Sequence, residues 1–381
     1  MIETAKRLHS VKEYYFSEKL REVREMIARG EPVINIGIGS PDLPPPPQAV
    51  EAMQDAVSEA GAHRYQSYQG IPELRRAMAD FYRDKFGVEL DFNTEVLPLM
   101  GSKEGIMHIS LAFLNAGDEV LIPDPGYATY TSVTRLVQAV PRYYALKAEN
   151  GWLPDIDALE KENLSGVKLM WISYPHMPTG ARASGAFLEK LVAFAKAHRI
   201  LLVNDNPYSF VLNDASLSLL KIENAKPVCL ELNSLSKTFN MAGWRIGMVS
   251  GDAAHIDAVL RVKSNMDSGM FYPLQQGAIA ALNAGEAWFR EINAVYEKRR
   301  ALVFTLASAL ECRYDTNTAG LFVWAKLPPG IPSSEAFAEK LLHEKHIFVV
   351  PGMVFGKNGE GYVRFSLCAS EAVIKEAIAR I

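Results

Sequence analysis

Short apolar runs alternate with longer amphipathic segments between about residues 95 and 250. The runs are rich in β-branched and other apolar side chains, whereas residues 187–195 carry apolar side chains at helical spacing. Strands that alternate with helices indicate a mainly parallel sheet covered on both faces, whose ligands bind beyond the carboxyl ends of the strands. The predicted strands include residues 119–122, 167–172, 200–203 and 228–232.

The N-terminal part of the chain changes pattern at a run of four prolines. A helical pattern covers residues 11–29 and stops at Gly30, and a short strand is predicted over residues 32–39. Residues 44–47 are all proline, so they form a stiff extended link, with a helix start at Pro47. We expect a domain boundary at this link. The apolar positions of the helical pattern are Val11, Tyr14, Tyr15, Leu20, Val23, Met26 and Ile27.

The C-terminal part mixes helices with strands. Residues 286–312 contain neither Gly nor Pro and are predicted to form one long helix, and a late strand is predicted over residues 362–367. These elements indicate a second, smaller α+β domain that the N-terminal segment joins. The expected division is a large α/β domain of residues 48–280 and a small α+β domain of residues 1–47 and 281–381.

Composition narrows the class of protein without identifying it. A chain of 381 residues exceeds the roughly 100–200 residues of one domain, which favours two domains. The net charge of −4 gives no reason to expect nucleic acid, and no apolar run approaches the ~20 residues that span a bilayer. The three cysteines outline neither a disulfide framework nor a zinc site, and the N-terminus lacks the apolar core of a signal peptide. We therefore expect a cytoplasmic protein.

No metal site is predicted. The sequence His343-Glu344-Lys345-His346 invites a zinc interpretation, but its spacing is not H-E-x-x-H and no third ligand is suggested. The end of a charged helix accounts for these residues better.

The segment around Lys237 carries the strongest chemical signal. Ser234 and Ser236 precede the lysine, and Arg245 follows it within a run too apolar for a surface loop. An amine, two hydroxyls and a guanidinium together suggest an aldehyde cofactor that bears a phosphate. The alternative is a lysine that extends from a strand end, with Arg245 in a structural ion pair.

This segment resembles the lysine signature of class I/II aminotransferases, and it reads S-x-S-K-T-x-x-x-x-G-x-R-x-G. The resemblance covers essentially the whole chain. It implies the α/β PLP-dependent transferase fold of type I, in which pyridoxal 5'-phosphate (PLP) transfers an amino group from an amino acid to a 2-oxo acid by a ping-pong scheme. Lys237 would then hold PLP through a Schiff base, Ser234 and Arg245 would bind its phosphate, and Ser236 would be a further cofactor contact.

The same resemblance assigns other cofactor contacts to strand ends and a helix start. Asp205 would pair with the pyridine nitrogen, Tyr208 would bind the phenolic oxygen of the ring, and Tyr127 would stack on the ring. Ser102 and Lys103 open a predicted helix, whose amides suit a phosphate. The alternatives are a turn cap for Asp205, a core tyrosine for Tyr208 and a helix N-cap for Ser102.

Further contacts in the family involve the substrate and a second subunit. Arg364 would bind the substrate α-carboxylate, and the backbone at Ile38 and Gly39 would lie close to it. A structural arginine is the alternative. Tyr65 would reach the phosphate of the neighbouring subunit, which implies a homodimer, and Tyr68 is a weaker candidate for that contact.

One position departs from the family pattern. Residues 174–180 resemble the Y-P-x-N-P-T-G signature, but Met177 stands in place of the asparagine. That asparagine donates a hydrogen bond to the phenolate oxygen, and a thioether cannot donate one. Met177 is therefore a predicted cofactor neighbour with altered chemistry.

Within the family, residues 101–105 and 264–269 look most like diaminopimelate aminotransferases of the LL-diaminopimelate or N-succinyl type. Aspartate, alanine, aromatic and methionine aminotransferases remain alternatives, as does a Cβ–S lyase on the same scaffold. No residue is assigned to the substrate side chain. A non-catalytic PLP-fold sensor is a further alternative, but such regulators usually carry a helix-turn-helix domain ahead of the fold, and about 30 residues precede the first strand here.

Overall fold

The structure is a computed structural model that describes residues 2–10 and 15–381. Its α-helices are α1 (Tyr15–Ala28), α2 (Pro47–Val57), α3 (Pro72–Phe86), α4 (Ser102–Phe113), α5 (Ala128–Leu136), α6 (Ile156–Leu159), α7 (Gly185–His198), α8 (Leu235–Thr238), α9 (Ala253–Lys263), α10 (Tyr272–Leu282), α11 (Gly285–Ala309), α12 (Ser334–Lys345) and α13 (Glu371–Ala379). Its strands are β1 (Ile34–Asn35), β2 (Val96–Leu99), β3 (Glu119–Asp124), β4 (Val140–Ala145), β5 (Val167–Ile172), β6 (Leu201–Asp205), β7 (Cys229–Ser234), β8 (Gly247–Gly251), β9 (Arg313–Tyr314), β10 (Phe322–Lys326), β11 (Ile347–Phe348), β12 (Val350–Pro351) and β13 (Tyr362–Ser366).

A seven-stranded sheet forms the centre of the larger part of the molecule. Its strand order is β2-β8-β7-β6-β5-β3-β4, and β8 runs antiparallel to both of its neighbours while the other pairs are parallel. The prediction of a mainly parallel α/β sheet is confirmed. The four predicted strands all exist, with bounds that differ by at most two residues at an end.

Both faces of this sheet are covered because its strands are apolar on both sides. Trp171 and Val203 point to a cluster shared with α4, α5 and α9, whereas Met170 and Leu202 point to a cluster shared with α3, α7 and α10. Alternation along each strand thus distributes a continuous apolar run between two cores.

A third hydrophobic cluster surrounds the small antiparallel sheet, whose strand order is β12-β13-β10-β9. Helices α1, α11, α12 and α13 contribute to this cluster. The N-terminal segment joins it, since β1 pairs in parallel with β11. The polar segment His343–His346 lies at the end of α12, as predicted, with His346 as the C-cap residue.

Several predicted boundaries were wrong. The strand predicted over residues 32–39 is limited to β1, because the side chain of Asn35 accepts hydrogen bonds from the amides of Gly37 and Ile38 at 3.0 and 3.1 Å and turns the chain. The long helix predicted to reach residue 312 ends at Ala309, and Glu311, two residues later, has a φ of 58°. In α1, Ile27 is 52% exposed instead of buried. The predicted helical positions Val11 and Tyr14 lie outside the described residues.

Among the described residues, no helix combines the length and apolar character that crossing a membrane requires.

An ion pair between the buried Arg299 and the solvent-exposed Asp42 ties the N-terminal segment to α11 and to the end of β13. Arg299 is 3% exposed and donates to both carboxylate oxygens of Asp42 at 2.6 and 3.0 Å. It also donates to the carbonyl oxygen of Leu367 at 3.1 Å. These three bonds join segments that are far apart in sequence.

We predict that Arg299→Ala lowers the free energy of unfolding by about 1.5–3 kcal/mol, because it removes the charged donor of the buried carbonyl of Leu367 and of the exposed carboxylate of Asp42. Urea unfolding of the wild type and the variant measures the difference. Arg290→Ala is the matched control, since Arg290 is an exposed residue of the same helix. Equal losses in the two variants would show that the ion pair contributes nothing specific.

Candidate active site

A cavity of about 550 Å³ lies at the carboxyl ends of the parallel strands, and it brings together residues that are distant in sequence. Parallel strands end at one edge of a sheet, so the side chains that follow them meet there. Every predicted site residue except Tyr65 lines this cavity. They are Ile38, Gly39, Ser102, Lys103, Tyr127, Met177, Asp205, Tyr208, Ser234, Ser236, Lys237, Arg245 and Arg364.

Lys237 lies in the single helical turn α8, which follows β7 directly. Its Nζ donates to the carbonyl oxygen of Gly39 at 2.6 Å. Burial lowers the pKa of this amine, and the nearby guanidinium groups of Arg364 and Arg245 lower it further. A lysine with a depressed pKa is available as a neutral nucleophile and base at lower pH than a solvated one.

Asp205 ends β6, the strand next to β7, and its carboxylate is buried. Its Oδ2 accepts a hydrogen bond from the hydroxyl of Tyr130 at 2.9 Å, whereas Oδ1 has no hydrogen-bond partner among the described residues. Burial raises the pKa of this carboxyl to about 6, although the bond from Tyr130 opposes the shift. Asp205 therefore does not cap a turn, and one of its oxygens is available for a cationic or N–H donor.

One side of the cavity wall is cationic, because Lys103 and Arg245 line it. Helix α4 begins at Ser102, with Gly101 as the N-cap residue, so the alternative role of Ser102 as an N-cap is not the one that it has here. Gly101 has a φ of 91°, and a side chain there would overlap the guanidinium of Arg245. Burial and the charge of Arg245 both lower the pKa of Lys103. Two neighbouring cations at a helix N-terminus favour an anion such as a phosphate.

Two serines complete this cationic side. Ser234 is the N-cap residue of α8, and its hydroxyl accepts a hydrogen bond from the amide of Ser236 at 3.1 Å. Both side chains line the cavity together with Arg245. The end of β7 and the start of α8 thus bring two hydroxyls and the amine of Lys237 to the same cavity.

Arg364 lies on β13 with its guanidinium between two aromatic rings. Its Cζ is 3.9 Å from the ring centroid of Phe322 and 4.8 Å from that of Phe355. Nη2 donates to the carbonyl oxygen of Gly37 at 2.8 Å, and Nη1 contacts the Sδ of Met177 at 3.5 Å. The rings fix the plane of the guanidinium, and the thioether is a weak acceptor that a carboxylate displaces readily.

Gly39 has a role that the sequence did not indicate. A side chain at this position would overlap the ring of Phe322, which packs on Arg364. The glycine therefore permits the close approach of the N-terminal segment to β10, while its carbonyl oxygen accepts from Lys237.

Two of the tyrosines considered as site residues line the cavity, and two lie on the surface. Tyr208 is buried and packs edge-on against Phe322 at 5.9 Å, and Tyr127 is the N-cap residue of α5 at the cavity wall. Tyr65 and Tyr68 are 90% and 46% exposed and do not line the cavity of their own chain. Whether Tyr65 reaches a second subunit stays a prediction.

Seven residues that line the cavity were not predicted, and three of them contact predicted site residues: Tyr130 donates to Asp205, and Phe322 and Phe355 pack on Arg364. Tyr130 was detectable, because it follows Tyr127 by three positions and so lies on the same face of α5. The two phenylalanines gave no comparable signal. They meet Arg364 only through the register of the small sheet and the loop after β12.

Comparisons with known proteins agree with this geometry. The family model described as "Aminotransferase class I and II" matches residues 31–381. The chain is 40% identical over 380 residues to an LL-diaminopimelate aminotransferase from Nitratidesulfovibrio vulgaris, which covers 99% of this chain and 98% of the relative.

Two solved structures share the fold over nearly all of both chains. Substrate-bound BacF from Bacillus subtilis has a TM-score of 0.96 at 35% identity, with coverage of 100% of this chain and 97% of the other. The aspartate aminotransferase from Thermus thermophilus with maleate has a TM-score of 0.93 at 27% identity, with coverage of 100% and 99%. The chain therefore belongs to the class I and II aminotransferases and has their fold-type-I architecture.

Proposed function

We propose that this aminotransferase holds PLP on Lys237 and transfers the amino group of LL-diaminopimelate, or a close analogue, to a 2-oxo acid. The single observation that carries the proposal is the position of three groups in one cavity. They are the buried amine of Lys237, the buried carboxylate of Asp205 and the guanidinium of Arg364. An amine, an anion and a carboxylate-binding fork match the parts of PLP and an amino acid.

The residues of the cavity fit PLP at both of its ends. The unpaired Oδ1 of Asp205 suits a protonated pyridine nitrogen, which needs a buried anion. Lys103, Arg245 and the amides at the start of α4 suit a phosphate. When bound, PLP supplies a ring that accepts the electrons released at the substrate Cα.

Lys237 would handle the protons of the reaction. Its depressed pKa makes the neutral amine accessible, so Nζ would accept a proton from the substrate Cα and deliver it to the C4' carbon of the cofactor. The carbonyl oxygen of Gly39 accepts a hydrogen bond from the free amine of Lys237 and so lies beside Nζ. Tyr130 holds the carboxylate of Asp205 in place and leaves its other oxygen available.

Arg364 would orient the substrate through its α-carboxylate. Two parallel N–H donors fix both position and plane, and Phe322 and Phe355 prevent the guanidinium from rotating. Met177 keeps one of these donors weakly occupied until the carboxylate arrives.

Two further parts of the proposal concern assembly. The exposed position of Tyr65 supports a contact with the active site of a second copy, and hence a homodimer. The separate hydrophobic clusters around the two sheets support a large domain of residues 48–280 and a small domain of residues 1–47 and 281–381.

The choice of diaminopimelate depends on the relative named above, which is 40% identical over nearly its whole length. The proposal predicts that kcat/KM is highest for LL-diaminopimelate when the purified enzyme is assayed with 2-oxoglutarate as acceptor. The panel also includes N-succinyl-LL-diaminopimelate, aspartate, alanine, phenylalanine and methionine. A larger value for another donor overturns the substrate, whereas release of pyruvate from cystathionine without an acceptor reveals a Cβ–S lyase.

Arg364→Ala should raise KM for all of these amino donors together, because they share the α-carboxylate. Each lost charge-assisted hydrogen bond is worth ~1.5–3 kcal/mol, which corresponds to roughly one to two decades in KM. Arg364→Lys is the matched variant, since it keeps the charge but loses the fork, and it should recover only part of the affinity. An effect confined to one donor would mean that Arg364 recognises the side chain instead.

Met177→Asn should lower the pH at which the absorption of the bound cofactor changes, because an amide donor near the ring oxygen stabilises negative charge there. Spectrophotometric titration of the wild type and the variant measures the midpoint. Met266→Asn makes the same replacement at a residue that is 56% exposed, and it should leave the midpoint unchanged. An unchanged or higher midpoint in Met177→Asn would exclude Met177 as a neighbour of that oxygen.

A further inference from the structure

A second cavity, of about 510 Å³, lies between the small sheet and the loop that follows β4. The loop contributes Trp152, and the sheet contributes Arg313, Trp324, Lys326 and Tyr362. None of the residues that line this cavity also lines the catalytic one. We call it the outer cavity.

The outer cavity has an uncompensated pair of cations at its edge. Arg313 on β9 and Lys326 on β10 lie directly opposite each other in an antiparallel pair, where like charges destabilise a sheet. Both side chains are exposed, and among the described residues neither has a carboxylate within 4.0 Å. A bound anion would remove the repulsion between the two side chains.

The other charged groups of the outer cavity are already engaged. The guanidinium of Arg182 donates to the side chains of Asn213 and Asn317 and to the carbonyl oxygen of Leu212. The carboxylate of Asp315 accepts from the amide of Asn317 at 2.8 Å. Among the described residues that line the cavity, three are cations and one is a carboxylate, so the lining is positive, with Arg313 and Lys326 as its available donors. One further carboxylate lies nearby, since burial and the charge of Glu149 raise the pKa of Tyr362.

The remaining wall is aromatic and held in place by the backbone. Tyr362 and Trp324 are stacked with ring centroids 5.1 Å apart, and Trp152 meets Tyr362 edge-on at 5.2 Å. Trp152 has a φ of 61°, which is unfavourable for a bulky residue. Its amide donates to Lys147 at 2.9 Å and its carbonyl accepts from Tyr174 at 2.7 Å, and these bonds maintain the strained conformation.

We propose that the outer cavity binds a small planar aromatic anion, with its ring against Trp152 and Tyr362 and its carboxylate or phosphate on Arg313 and Lys326. The volume falls within the range of small-molecule sites, about 300–1,000 Å³. Aromatic walls recognise the ring, and paired cations recognise the charge.

The outer cavity is joined to the catalytic cavity by the small sheet. Tyr362 and Arg364 are two positions apart on β13 and so lie on the same face. Trp324 contacts Phe355 edge-on at 5.8 Å, and Phe355 packs on Arg364. A ligand in the outer cavity therefore lies near Arg364 without occupying the substrate site.

Tryptophan fluorescence of the holoenzyme tests this proposal with 1-naphthoate and 1-naphthyl phosphate as probes. At least one probe should give saturable quenching, and the neutral 1-naphthalenemethanol should bind about tenfold more weakly, since charge-assisted bonds are lost. The better of the two probes identifies the anionic group. The double variant Arg313→Gln/Lys326→Gln should lose about tenfold or more in affinity.

Two comparisons separate the outer cavity from the catalytic one. Lys190→Gln/Lys340→Gln removes the same charge from two exposed lysines elsewhere and should bind as the wild type does. Arg364→Ala should also retain the probe. The cation-pair variant should keep its transamination rate without probe, which shows that it is folded, and Lys326→Gln alone serves if the double variant is unstable.

Failure of both anions to saturate overturns the proposal. So does probe binding that Arg364→Ala abolishes and Arg313→Gln/Lys326→Gln retains, because the probe would then occupy the substrate site. Neither outcome affects the proposed transamination.

Discussion

The buried carboxylate of Asp205 is the constraint on which the catalytic cavity depends. Its position at the end of β6 removes it from water and raises its pKa to about 6, and only one of its oxygens has a hydrogen-bond partner among the residues that the structure describes. A buried anion with an open oxygen is unfavourable unless a ligand completes it. Tyr130 stabilises the other oxygen, and the ring of Tyr130 is stacked on Trp171 with centroids 5.0 Å apart. The central sheet therefore supports the carboxylate directly.

The rest of the cavity is organised by charge around that anion. Lys103 and Arg245 are cations near the start of α4, and Arg364 is a third cation on the small sheet. Lys237 lies among these guanidinium groups, and its pKa falls for that reason as well as through burial. The separation of one anion from several cations suits a ligand with a positive ring nitrogen and two negative groups. PLP together with an amino acid has that distribution of charge.

The sequence predicts the chemically reactive residues of the site more completely than the residues that hold them in place. Lys237 was predicted from the hydroxyls and the arginine around it, and Asp205 was predicted from the resemblance to class I/II aminotransferases. Both lie at the carboxyl ends of parallel strands, where they line one cavity. Phe322 and Phe355 were missed because their contact with Arg364 depends on sheet register and on a loop. The length of β1 was overestimated, because the hydrogen bonds that the Asn35 side chain accepts compete with strand pairing. The predicted role of Tyr65 requires a second copy of the chain, so the structure of a single chain does not test it.

The proposed role of Lys237 is tested most directly by identifying the residue to which PLP is covalently attached. The holoenzyme is reduced with borohydride and digested, and the pyridoxyl-labelled peptide is identified by mass spectrometry. We predict that the label lies on Lys237, and that Lys237→Ala binds PLP without a covalent bond and does not transaminate. Lys103 lines the same cavity and is the internal control. A label on Lys103, or on any lysine other than Lys237, would contradict the assignment.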